Sequence, residues 1–170
     1  MNRIVFAVCV AVLVFSVAAQ AQVPGQPGPE QKKLEVWAGN WTIQGEAKDS
    51  PSGPTYKIDW TLQGNWLPGG FFLLIHGLFK YPDGEDRWLE VLGYDPVKKT
   101  HVGYVFYYNG DSEIYTMTFK ERTLLERAQD WRHEWNFSPD GMSVTMKGER
   151  EKDGTWWTSI EAKGVKSQTK

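Results

Sequence analysis

"LEVWAGNWTIQGEAK", residues 34–48, contains two hydrophobic periods, and the point where one gives way to the other sets the fold. Upstream of Gly39, Leu34 and Trp37 share a helical face. Pro29 suits a first helical position, Glu30 the positive helix end and Gly39 a stop, so the sequence predicts one short helix over 30–38. From Asn40 the period becomes two: Trp41, Ile43, Gly45 and Ala47 alternate with Thr42, Gln44, Glu46 and Lys48, the pattern of a half-buried strand. The letters Gly39-Asn40-Trp41 return as Gly64-Asn65-Trp66 and, loosely, as Gly154-Thr155-Trp156, but in three different jobs. The first stops a helix and places the first inward side chain. The second ends a strand before the Pro68-Gly69-Gly70 turn, and the third follows Asp153 in a hairpin turn of Asp-Gly type.

Period two continues downstream. Tyr56, Ile58, Trp60 and Leu62 alternate with polar residues, and "FFLLIHGLFK" (71–80) is apolar on both faces, which suits a central strand or one bent at Gly77. "PDGED", "DPVKKT", "NGDS", "SPDG" and "KDG" then punctuate the chain, marking strands at 87–94, 101–108, 112–120, 131–138, 142–150 and 155–163, with a further one near 122–128. The fold class expected is all-β: an antiparallel up-and-down barrel of about 8–10 strands with a short N-terminal helix, since closure leaves no exposed edge. A barrel of this size holds either packed side chains or one small ligand.

Residues 1–21 combine Arg3, an apolar run and the ending Ala19-Gln20-Ala21, the pattern of a secretory signal peptide cut after Ala21. The expected organisation is signal peptide 1–21, extended leader 22–29 and a single domain over 30–165, with the mature protein periplasmic or secreted. The one cysteine, Cys9, falls in the signal segment, so disulfides and cysteine zinc sites are not expected after cleavage. Net charge is only -2 with both signs scattered, which argues against a nucleic-acid partner, and no later run is apolar enough for stable membrane insertion. Oligomeric state is left open by these features.

Aromatic content carries the functional question: nine Trp, seven Tyr and eight Phe serve either a core or a ligand cavity. In "WRHEWNF", His133 shares a face with Trp131, Trp135 and Phe137, where it is a ligand contact or a core histidine bonded to a neighbour. His76 shares the face of Phe72, Leu74 and Leu78, with the same two readings, while His101, at a strand start, is expected on the surface. Glu90 enters the interior with a raised pKa if the face of Trp88, Leu92 and Tyr94 is internal, and is solvated if Leu89, Val91 and Gly93 are. Tyr104, Phe106 and Tyr108 form one stripe and Tyr115, Met117 and Phe119 another, either as core or as cavity wall. The candidate ligand-binding residues are therefore Trp60, His76, Glu90, Tyr104, Tyr108, Tyr115, His133 and Trp135. No Gly-x-Ser-x-Gly elbow, phosphate loop, His-Glu-x-x-His pair or EF-hand loop is present.

A short helix followed by Gly39-Asn40-Trp41 and an antiparallel meander resembles the lipocalin or calycin barrels. A closer resemblance is to the family called domain of unknown function 1579. It rests on Pro29-Glu30 with Leu34, Gly39-Asn40-Trp41, Trp66-Leu67-Pro68-Gly69-Gly70-Phe71-Phe72 leading to Gly77, and Leu92-Gly93-Tyr94-Asp95 with Lys98-Lys99. That resemblance implies a lipocalin-like barrel and no particular activity. The expected function is binding of a small hydrophobic ligand in an aromatic cavity, with no cofactor and no catalysis. Two alternatives stand beside it: heme or porphyrin ligation by His76 or His133, as in the distantly similar nitrobindin barrels, and an enzyme using His133, His76 or Glu90 as acid or base.

Overall fold

The computed structural model describes residues 25–167. The expected signal peptide 1–21 with Cys9, and residues 22–24 of the expected leader, lie outside the described residues. The predicted helix is one α turn, α1 (Pro29–Lys32), running into a 3-10 segment (Lys33–Trp37). Ten strands follow: β1 (Gly39–Ala47), β2 (Tyr56–Trp66), β3 (Phe72–Tyr81), β4 (Gly84–Asp95), β5 (Thr100–Tyr107), β6 (Ser112–Lys120), β7 (Thr123–Arg127), β8 (Trp131–Phe137), β9 (Ser143–Lys152) and β10 (Thr155–Lys166). Each pairs antiparallel with its neighbour in sequence, and β1 closes on β10 from Trp41↔Lys166 to Ala47↔Ile160, so every strand edge is paired. The extra strand expected near 122–128 is β7. The hairpin joining β9 to β10 turns through Asp153 (φ 52°) and Gly154 (φ 78°), the two positive angles of the tight turn that the Asp-Gly pair favours.

The helical segment closes one end of the barrel. Leu34 and Trp37 are both buried, and Trp37 meets Trp41 (5.9 Å), Trp135 (4.9 Å) and Phe137 (5.2 Å) edge to face, pairs that contribute about 0.5–1.5 kcal/mol each beyond their buried area. Trp41 is the first inward side chain of β1, 1% exposed. The segment can lie so close because Gly64, opposite Gly39 in the β1–β2 register, has no side chain: a Cβ there would sit 2.1 Å from the Trp37 carbonyl oxygen.

His101 corrects its surface expectation. It is 4% exposed, lies between Tyr94 and Phe119 (4.9 Å each), and its Nε2–H donates to the Glu30 carbonyl at 2.8 Å. The ring thus ties α1 to β5, and a strand start that sequence places in solvent is roofed by the helix. No helix among the described residues is long and apolar enough to cross a membrane.

Candidate functional site

Inside the barrel a cavity of about 260 Å³ extends from Trp37, Leu62 and Leu92 at the closed end toward the opposite hairpins, where exposed Asp86 and Arg150 stand beside Tyr107. A wider depression of about 820 Å³ lies along the charged β9–β10–β1 wall and is open and shallow, with Lys147, Glu161 and Lys163 on its floor. Only the interior cavity gathers aromatic rings and buried carboxylates.

Three inward glutamates organise it, and each is held by two aromatic side chains. Glu90 on β4 accepts from the Tyr115 hydroxyl and from the Trp88 indole. Glu113 on β6 accepts from Tyr107 (3.3 Å) and Trp131 (3.1 Å), both at Oε2. Glu126 on β7, 7% exposed, accepts from Trp135 Nε1 at 2.8 Å and pairs with His133 Nδ1 at 3.3 Å, again both at Oε2. The second oxygens of Glu113 and Glu126 carry neither of these bonds, and a carboxylate has room for about four donors. His133 stacks on Trp131 with 4.4 Å between ring centres.

Three of these rings, those of Trp88, Tyr115 and His133, lie against the wall because a glycine on the neighbouring strand makes room for each. A Cβ on Gly77 would stand 2.1 Å from the Trp88 ring, one on Gly103 2.3 Å from Tyr115, and one on Gly148 2.9 Å from His133. With those rings folded sideways, the barrel axis stays open. Gly103→Ala is therefore expected to swing Tyr115 off Glu90 and into the cavity, costing about 1–3 kcal/mol. Chemical denaturation measures the loss, and the Tyr115 ring signals in NMR report the movement; unchanged signals would show that the wall absorbs the methyl.

Burial drives the electrostatics. It raises the Glu90 carboxyl to about 7, helped by the charge of Glu126, while the bonds from Tyr115 and Trp88 pull the other way. Tyr115 is raised well above its ordinary range by burial and then by Glu90 and Glu126, and Tyr107 is raised by burial and Glu113, so both remain hydroxyl donors. Among the described residues no group of three or more His, Cys, Asp and Glu is placed to hold a metal ion.

Of the residues nominated from sequence, Trp60, Glu90, Tyr115, His133 and Trp135 converge on this cavity. His76, Tyr104 and Tyr108 do not: they point outward, with Tyr104 41% and Tyr108 71% exposed, because β3 and β5 turn their other faces in. A porphyrin does not fit the residues present. His76 is on the outside, His133 is held between Trp131 and Glu126, and about 260 Å³ is below the range of even drug-sized ligand pockets. Sequence reasoning missed Glu113 and Glu126. Glu113 shares the parity of Tyr115 and was legible on that ground, whereas Glu126 follows the unalternating pair Leu124-Leu125.

A family model described as a protein of unknown function (DUF1579) matches residues 26–166. No curated protein matches the chain in sequence. Among solved structures, the crystal structure of Rv2717c from M. tuberculosis is similar at 12% identity and a TM-score of 0.60, covering 83% of this chain and 99% of that one. The S-type phycobiliprotein lyase CPES from Guillardia theta is similar at 8% identity and a TM-score of 0.50, covering 86% of this chain and 96% of that one. At these identities the likeness speaks for the barrel and not for its contents.

Proposed function

The chain belongs to the DUF1579 family, whose lipocalin-like barrel leaves the ligand open, and on that premise we propose that it is an exported carrier binding one small aromatic molecule with a basic, proton-bearing end. The observation that carries this reading is the convergence of Glu90, Glu113 and Glu126 in a cavity walled by indole and phenol rings. Aromatic faces and carboxylates together favour a cation over an anion or a plain hydrocarbon. Arg150 is the only Lys or Arg on the cavity wall, and it is exposed at the mouth. A protonated amine would supply the counter-charge that buried Glu90 lacks, and a volume of about 260 Å³ suits a single-ring or indole-sized molecule rather than a lipid. Export is supported by the N-terminal Arg3, the apolar run and Ala19-Gln20-Ala21.

Phenethylamine and neutral ethylbenzene, titrated while the indole N–H signals are followed by NMR, test the proposal. The amine is expected to shift the signals of Trp88, Trp131 and Trp135 and to bind more tightly than the hydrocarbon, with Glu126→Gln narrowing the gap. If neither probe moves those signals at millimolar concentration, the cavity is a packed core and the reading fails.

One observation favours a second reading. Glu90, titrating near 7 beside Tyr115, has the proton affinity of an acid–base catalyst at neutral pH. A bound compound recovered from the wild type with altered mass, and unaltered from Glu90→Gln, would replace binding with catalysis.

A further inference from the structure

The outward face of β3–β6 has no place in the cavity reading, and its composition is unlike the rest of the barrel. The register sets side chains in rows across the strands. One outer row is Leu74, Val91, Tyr104 and Ile114, each directly opposite the next. The row above it is His76, Leu89, Phe106 and Ser112, and the row below is Phe72, Gly93, Val102 and Thr116. Three rows across four strands thus contain no Asp, Glu, Lys or Arg. On the far wall a single row reads Glu134, Lys147, Glu161, Glu46 and Lys57, five charges side by side. Outer faces of antiparallel sheets are ordinarily wet and polar, as that far wall is.

We infer that the β3–β6 face is a self-association surface, occupied in solution by the same face of a second copy of the chain related by a two-fold axis. Its size supports this. Within the three rows Phe72 is 47% exposed, Phe106 48%, Tyr104 41% and Ile114 65%, and Tyr108, 71% exposed, continues the face into the bordering row that Arg87 shares. With about 150–250 Å² per aromatic side chain, these alone uncover roughly 500 Å², and the partly covered Leu74, Leu89 and Val91 extend the patch. That reaches the upper end of the largest apolar patches on monomers, about 300–600 Å². With its polar rim it approaches the ~800 Å² per partner of a standard interface.

The occupant follows from the chemistry of the face. A charged partner would need charges to meet, and the three rows offer none; the depression that touches them, about 440 Å³, reaches only His76 and runs off toward β1 and β2 past Arg87, so it does not lay a peptide across the rows. An uncharged sheet face is complementary to its own copy, since a two-fold axis sets row against row and leaves no charge unpaired. The prediction is independent of the interior, because the residues involved point away from the cavity.

Sedimentation velocity on the purified protein from about 0.1 µM to about 200 µM concentration tests it, a range in which a dimer of micromolar Kd passes from mostly dissociated to mostly associated. The wild type is expected to sediment as a dimer. Ile114→Lys and Tyr104→Lys, both at exposed positions, are expected to weaken it by about 30-fold or more, as interface anchors do, with the far-UV circular dichroism of the fold unchanged. Thr145→Lys on the far wall is the control and is expected to remain dimeric. A wild type that stays monomeric throughout overturns the inference, as does a dimer that survives both substitutions, or a monomer that binds lipid vesicles through this face. Should Tyr104→Lys lose its fold, Ile114→Lys alone carries the test, its side chain being the more exposed.

Discussion

Glu90→Gln is expected to raise stability at pH 8 by up to about 3 kcal/mol, roughly 6–12 °C in melting temperature, while changing little at pH 4. The sign follows from the direction of the shift. Glu90 holds its proton to about pH 7 in the folded chain and to about 4.5 when unfolded, so between those values the folded state binds more protons. Stability from this group is complete below about 4.5 and is lost as pH climbs through about 7, the reverse of a salt-bridged carboxylate. Glutamine is neutral at every pH and keeps an oxygen for the Tyr115 hydroxyl, so the variant's stability should be flatter over that window. Thermal melts at pH 5 and 8 check it. If the wild type loses no more than the variant between them, Glu90 is not the buried acid described above. The same linkage bears on function: a bound amine would draw Glu90 toward its ionised form, so amine affinity is expected to rise with pH across the window in which the empty protein loses stability.

The barrel was legible because its signals are local. Alternation from Trp41 to Ala47 and the Asp153-Gly154 turn each specify their own piece of chain without reference to a partner strand. Inside and outside were legible only where one face is polar. On β3 the choice lay between Phe72, Leu74, His76, Leu78 and Leu73, Ile75, Gly77, Phe79, and hydrophobicity cannot separate two apolar faces. On β5 the larger face, Tyr104, Phe106 and Tyr108, points out, while His101, Gly103, Val105 and Tyr107 point in. Size misleads here because inward glycines are filled from the side: Trp88 lies over Gly77 and Tyr115 over Gly103. A glycine within an otherwise apolar strand is thus a cue to the inner face, provided a neighbouring strand supplies an aromatic ring. Charge offered no such cue for Glu126, because its two donors come from β8 and only the register brings them to it.

Trp37→Ala is expected to cost about 3–5 kcal/mol, the range for truncating a fully buried tryptophan. The side chain is 3% exposed and belongs to the helical segment rather than to a strand, yet it contacts rings on β1 and β8 and forms part of the cavity floor. Removing it therefore does two things at once. It takes away the edge-to-face contacts that hold the segment over the barrel end, and it deepens a cavity that is already about 260 Å³. Apolar holes of about 150 Å³ stay dry and take up benzene-sized molecules, so the enlarged site should accept indole. Indole at millimolar concentration is then expected to raise the variant's melting temperature by more than it raises the wild type's, through ordinary mass action on the folded state. Equal gains in both would mean that indole occupies the original cavity and that the segment has collapsed into the hole. A variant melting within about 1 kcal/mol of the parent would mean that the barrel closes without its plug, leaving strand pairing alone to define the closed end.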